Sequence, residues 1–235
     1  MKTSTKNASK HTSNTSYLWL TFIAITLFSY ITFAQSLKTN LSESTIDGVK
    51  LASSTQYDDG STQAELKAYS TGSRFKKVFG LVTVKVYHAE LLLAKPENLK
   101  KEDDQTLNSL KSSGPLQLRL IMLRDLKGKQ ISDSFKEALS AYNINEDQYA
   151  TELKEIFKEI SEIKEFKTGQ IFSIAANWSS QKATLLVQKP DGKILKYSGD
   201  ENFANQLFQI WFGKTQDNKK IDPKLVDLKK ELLKI

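Results

Sequence analysis

The side chains that most often carry out chemistry are scarce in this sequence. It has no cysteine, and its two histidines are His11 and His88. Disulfides, thiol catalysis and lipid attachment through cysteine are therefore excluded, and too few ligands remain for a zinc cluster. A Ser-His-Asp triad would have to use His88, which no nucleophile-elbow glycine pattern accompanies. We expect His88 to be a strand residue facing solvent or a polar partner, and we expect no metal and no cofactor.

One strand offers a better candidate for a binding surface. Residues 75–93 are rich in Val, Phe, Tyr and Leu, and Gly80 divides them into a short strand and a long one. Successive side chains alternate across a sheet, so Lys85, Tyr87 and Leu91 are expected to share one face. Such a face would suit a cavity with a polar end.

Several turn and helix signals surround this strand. Residues 35–47 read as a polar lead without periodicity, and Gly72-Ser73-Arg74 predicts a tight turn or bulge. The remaining predicted elements are two extended segments within 49–69, a helix through Leu107 and Leu110, a strand at 116–123, a helix from Ser132 or Asp133, a helix capped by Asn145, strands at 171–176, 183–188 and 193–197, a helix at 203–213 and a helix from Asp222-Pro223. This order indicates an α+β chain.

The first 34 residues have the composition of an export signal. Lysines at 2, 6 and 10 precede an apolar run from Tyr17 to Phe33, and Ala34 provides a small residue at its end. This pattern predicts a signal peptide over 1–34, and an uncleaved N-terminal membrane anchor is the alternative. Either reading predicts an exported protein, periplasmic or secreted, whose contact with a membrane is limited to this segment.

The charge of the chain gives no reason to expect a nucleic-acid partner. The net charge is +7, and without the three lysines of residues 1–34 there are 31 basic and 27 acidic side chains, a net charge of +4. This excess is spread along the chain with no arginine-rich run, as on a solvated basic surface. The sequence does not indicate an oligomeric state.

Three segments together resemble the chalcone isomerase-like family, in particular its bacterial branch. They are Gly72-Ser73-Arg74 followed by Lys85-Val86-Tyr87, the strand 116–124 leading through Gly128 into a helix, and the run 203–213 with Asp222-Pro223 behind it. The resemblance covers residues 48–235. It implies an open-faced sandwich, in which an antiparallel sheet carries helices on one face and a ligand cleft lies between the two layers.

The resemblance also implies which residues line that cleft. The arginine that chalcone isomerases place in a turn corresponds to Arg74, and their strand threonine corresponds to Tyr87. Their tyrosine and asparagine correspond to Ile131 and Ala138. Three of the four polar positions are therefore changed, and isoleucine cannot donate a hydrogen bond to a ketone oxygen. The network that would stabilise a developing enolate is largely missing.

These changes favour binding over catalysis. The family includes fatty-acid-binding members that hold a carboxylate with an arginine and a tyrosine placed like Arg74 and Tyr87. We therefore expect a binding protein for a small amphiphilic or aromatic ligand, with a fatty acid or similar apolar carboxylate favoured. Ile131, Ala138, Phe208 and Trp211 would line the tail pocket or simply pack in the core. The alternatives are an isomerase or lyase that uses Arg74 and Tyr87 on an enone or phenolic compound, and an interaction protein whose cleft is filled.

Overall fold

The computed structural model describes residues 35–78, 82–215 and 220–235. The predicted leader, residues 1–34, and the predicted divider Gly80 lie outside these ranges. Within them, no helix combines the length and the apolarity that crossing a membrane requires.

Eight antiparallel strands form one sheet whose order in space is the order in sequence. The strands are β1 (Ser36–Ile46), β2 (Val49–Asp58), β3 (Gln63–Val78), β4 (Val82–Leu93), β5 (Leu116–Met122), β6 (Ile171–Ser179), β7 (Lys182–Gln188) and β8 (Ile194–Asp200). The helices of the described ranges are α1 (Thr106–Ser113), α2 (Gly128–Ala141), α3 (Thr151–Glu162), α4 (Glu201–Phe212) and α5 (Pro223–Leu233). Two short 3-10 helices span Pro96–Asn98 and Glu146–Gln148.

The helices cover one face of the sheet, as the predicted open-faced sandwich requires. Inward side chains of β4 to β7 pack with the apolar faces of α1 to α5 in the larger core. Phe208 and Trp211 belong to this core, and the Trp211 ring meets the Phe135 ring edge-on at a centroid distance of 5.1 Å. The prediction of an α+β sandwich with helices on one face is confirmed.

The opposite face is concave because the sheet curls. Leu37 of β1 and Tyr57 of β2 pack in a smaller core with Leu92 of β4 and Leu186 of β7. The turn after β2 contacts the far side of the sheet, where Lys196 Nζ of β8 donates to the carbonyl oxygen of Asp59 at 2.6 Å. The result is a half-barrel.

A buried ion pair lies on this concave face. Glu90 of β4 is 2% exposed and Arg119 of β5 is 3% exposed, and the Arg119 guanidinium donates to the Glu90 carboxylate. The other Glu90 oxygen accepts from the backbone N–H of Ala52 at 2.7 Å. Residue 52 is not paired with β3, whose ladder with β2 begins at Ser54. Glu90 therefore satisfies both a buried cation and an otherwise unpaired backbone donor.

Two predictions about the early part of the chain are wrong. Residues 35–47, expected to be a polar lead, contain the edge strand β1, in which Leu37 is buried while Leu41 remains exposed. Gly72-Ser73-Arg74 does not form a turn, because it lies inside the 16-residue strand β3. It does not form a bulge either, because all three residues are paired in regular register with β4, and the nearby register shift between Arg74 and Phe75 comes from an extra residue in β4.

The helix that faces β3 and β4 begins earlier than Ser132. Gly128 opens α2, and its backbone N–H donates to the Ile163 carbonyl at 3.0 Å. A side chain at Gly128 would lie too close to the carbonyl oxygens of Ile160 and Ile163, so only glycine allows this contact. The start of α2, and with it one wall of the cleft described below, is thereby fixed against the end of α3.

Candidate functional site

A cleft with a cavity of about 390 Å³ lies between α2 and the sheet at β3 and β4. Its apolar lining consists of Val84, Val86, Leu126, Ile131 and Phe135. The structure therefore brings three of the four predicted site residues, Arg74, Tyr87 and Ile131, to one cavity. The fourth, Ala138, lines a smaller neighbouring pocket of about 50 Å³ that shares Arg74 with the cleft.

A bulge in β4 turns Tyr87 toward this cleft. Tyr87 is opposite Arg74, whereas Lys85 is opposite the next residue of β3, Phe75, so Val86 is an extra residue in the ladder. Paired residues share a face and consecutive residues alternate. The prediction that Lys85 and Tyr87 share a face is therefore wrong. Lys85 Nζ lies 3.6 Å from a carboxylate oxygen of Asp47 and faces away from the helices.

The guanidinium of Arg74 is already engaged within the protein. Its side chain is 8% exposed, Nη1 donates to the carbonyl of Phe75, and Nη2 donates to Asp222 Oδ2 at 2.6 Å. Asp222 is the N-cap of α5, where its Oδ1 accepts from the backbone N–H of Lys224 at 2.9 Å. The sequence Asp222-Pro223 predicted the start of a helix. It did not indicate that the second carboxylate oxygen of Asp222 would bind a residue of β3.

The carboxyl of Asp222 is held in its charged form. Its partial burial favours the neutral acid, but hydrogen bonds from Arg74 and the Lys224 backbone outweigh that effect and lower its pKa. Arg74 thus lines the cleft as one half of an ion pair, with two of its three nitrogens donating to protein oxygens.

The hydroxyl of Tyr87 can donate a hydrogen bond to a ligand in the cleft. Tyr87 is 4% exposed, and its oxygen accepts from Trp211 Nε1 at 2.9 Å. Burial raises the pKa of Tyr87, although the charge of Arg74 and the bond from Trp211 work in the opposite direction. The phenol therefore keeps its proton at neutral pH. Among the described residues no acceptor for that proton is recorded, so it is available to a ligand in the cleft.

His88 lies on the other face of the sheet from Tyr87. Its Nδ1 is 3.1 Å from the hydroxyl of Ser73, the polar partner that was one of the two expectations for this residue. His88 is 5% exposed, and burial is the main reason that its pKa is lowered. It does not line the cleft.

Sequence reasoning missed the polar residues at the mouth of the cleft. Lys76 follows Arg74 on the same face of β3, and Glu137 of α2 pairs with it at 3.1 Å. Arg124, which comes two residues after the end of β5, also lines the cavity and is exposed. The alternation along β3 could have identified Lys76, whereas Arg124 lies beyond the last strand residue, where no periodicity applies.

A family model described as chalcone isomerase-like matches residues 43–233. The chain belongs to the chalcone isomerase-like family. Thirty-seven chains of solved structures match it. One is the crystal structure of a fatty-acid binding protein from Arabidopsis thaliana, which is 12% identical, with 84% of this chain and 100% of that chain covered and a TM-score of 0.48. A search of curated proteins gave no match.

In this chalcone isomerase-like chain, Ile131 and Ala138 place no polar group in the cleft. Ile131 is 3% exposed and presents hydrocarbon to the cavity, and Ala138 lies outside it. Among the described residues that line the cleft, Tyr87 is a buried donor whose hydrogen remains available to a ligand.

Proposed function

We propose that this protein binds a small amphiphilic molecule with an anionic head, of the fatty-acid class, in the cleft between α2 and β3–β4. One observation carries the proposal. The cavity of about 390 Å³ has an apolar wall that ends at the free hydroxyl hydrogen of Tyr87 and at cationic side chains. Ligand sites commonly combine this volume with apolar walls and a few placed polar groups.

The apolar wall accounts for the tail of the ligand. Val84 and Val86 come from the sheet, and Ile131 and Phe135 come from α2, so a chain between them would be covered from two sides. Each methylene removed from water contributes roughly 0.8 kcal/mol before the costs of association are subtracted.

The polar end accounts for the head. Tyr87 supplies one donor, and the positive charge of Arg74 lies next to it across the ladder. A ligand acceptor would replace water as the partner of the phenol, so a buried donor is not left unpaired.

The geometry gives less support to isomerase or lyase chemistry. Tyr87 retains its proton and is therefore a poor general base, and neither Ile131 nor Ala138 can stabilise a developing enolate. Under this proposal, purified protein does not accelerate chalcone cyclisation.

Export is a separate proposal that rests on the composition of residues 1–34. Fractionation of expressing cells, followed by the mass of the recovered chain, tests it. An intact chain recovered from the cytoplasm contradicts export, and an intact chain recovered with membranes favours the anchor.

The binding proposal is tested by filling the cavity. Val84 is half-buried and lines the cleft, whereas its neighbour Thr83 is exposed and lies outside it. Val84→Trp should weaken binding of the fluorescent fatty acid cis-parinaric acid at least about tenfold, or roughly 1.4 kcal/mol. Thr83→Trp, the matched control, should bind like the wild type. If the wild type does not bind the probe, or Val84→Trp binds it equally well, the proposed cleft function is wrong.

A further inference from the structure

The charged residues that line the cleft are nearly all neutralised by partners. Four of the five stand in ion pairs, which are Arg74–Asp222, Lys76–Glu137 and Lys129–Asp133, with N–O distances of 2.6, 3.1 and 2.8 Å. Because Glu137 and Asp133 already have cationic partners, neither of them competes with a ligand anion for an unpaired cation.

Arg124 is the exception. It is exposed at the mouth of the cavity, and within the described residues it has no recorded hydrogen bond or ion pair. It contributes the uncompensated positive charge of the cleft. Its guanidinium is also free to present the planar fork that matches the two oxygens of a carboxylate.

Arg74 is less able to do this. Its charge is already paired with Asp222 Oδ2 at 2.6 Å, and its Nη1 also donates to the carbonyl of Phe75. A ligand carboxylate at the same guanidinium would meet the like charge of Asp222, and because the Arg74 side chain is 8% exposed, water would screen that repulsion little. A carboxylate therefore gains more from Arg124 than from Arg74.

We propose that Arg124, rather than Arg74, makes the charged contact with the carboxylate of the ligand. Tyr87 is paired with Met122, two residues before Arg124, so the head lies at the end of the cleft shared by Arg124 and Tyr87 and the tail lies against Ile131 and Phe135. This inference rests on the proposed binding function. It specifies the orientation of the ligand in the cleft. It also identifies a residue, not indicated by the family resemblance, that selects for a negatively charged head. Arg74 then serves to position α5 through Asp222 and to supply positive potential beside Tyr87.

The experiment compares an acid with its uncharged counterpart. Dodecanoic acid and dodecanol have the same tail, so the ratio of their dissociation constants isolates the contribution of the charge. Arg124→Gln should weaken the acid about fivefold and leave the alcohol unchanged, a size expected for an exposed charged contact. Lys129→Gln is the matched control, because Lys129 is a cation close to the same cleft that is already paired with Asp133. It should leave both ligands unchanged.

A further variant separates the two arginines. Asp222→Asn removes the charge that neutralises Arg74, so acid affinity should rise in this variant if Arg74 is the anchor and should stay constant if Arg124 is. An unchanged acid-to-alcohol ratio in Arg124→Gln overturns the assignment while the cleft function stands. Failure of the wild type to bind either ligand overturns the cleft function itself.

Discussion

The link between Asp222 and Arg74 predicts a measurable loss of stability on Asp222→Asn. Asparagine is as good an N-cap as aspartate, so the bond to the Lys224 backbone is retained. The charge opposite Arg74 is lost, and the amide can place a donor where the guanidinium needs an acceptor. A hydrogen bond to a charged group contributes about 1.5–3 kcal/mol. Because the Asp222 side chain is 38% exposed and water can partly replace it, we expect about 2 kcal/mol.

Urea unfolding followed by circular dichroism at neutral pH measures this loss. Asp227→Asn in the same helix is the control, since Asp227 pairs with Lys224 at 2.9 Å where both side chains are more than one-third exposed. That pair should contribute less than about 0.5 kcal/mol. If Asp222→Asn unfolds at the same urea concentration as the control, the ion pair does not stabilise α5 against β3, and the reasoning about Arg74 fails.

The pH dependence provides a second check on the same pair. The folded-state pKa of Asp222 is lowered from its ordinary value of 3.8, so the folded protein binds its proton less readily than the unfolded chain does. The stabilisation is therefore present above pH 3.8 and is lost as the pH falls through the lower folded-state pKa. The difference between wild type and Asp222→Asn should disappear in that acidic range.

Two further predictions concern the concave face. Arg119→Met should destabilise the protein by about 3–5 kcal/mol in urea unfolding, because it leaves the Glu90 charge buried without its partner. The double variant Arg119→Met with Glu90→Gln should recover most of that loss, since glutamine still accepts a hydrogen bond from the Ala52 backbone. If the double variant is as unstable as Arg119→Met, this account is wrong. Burial favours the neutral form of Asp59, but hydrogen bonds from Ser61, Tyr57 and the backbone lower its pKa to about 2. Asp59→Asn should therefore cost stability at neutral pH, with the difference from wild type closing between pH 3.8 and 2, and a pH-independent difference would contradict it.

The parts of the fold that sequence reasoning identified are those with strong local signals. The run from Phe203 to Trp211 has helical spacing, and its helix is α4. Asp222-Pro223 combines a capping side chain with a proline suited to the first turn, and α5 begins there. The edge strand β1 lacked such a signal, because few of its side chains are buried and its pairing with β2 has two irregularities.

Sequence reasoning named three of the residues that line the cleft, Arg74, Tyr87 and Ile131, but did not indicate the contacts of the first two. Arg74 and Tyr87 are indeed cross-strand neighbours. The bulge at Val86 could not be predicted from alternation. One extra residue moves all preceding side chains of the strand to the opposite face of the sheet, yet the composition of the strand is unchanged. The partners of Arg74 and Tyr87 come from α5 and α4, so only the packing of those helices on the sheet reveals them.

The contacts of Arg74 change what its position in the cleft implies about ligand binding. An arginine beside a tyrosine suggests an anion site when the two are considered alone, but the charge available to a ligand is the charge left after internal pairing. Asp222 removes most of that availability from Arg74, whereas Arg124 has no recorded partner among the described residues. Under the proposed function, the cleft should select anions through the unpaired guanidinium of Arg124, and the guanidinium of Arg74 should chiefly determine whether α5 stays on the sheet.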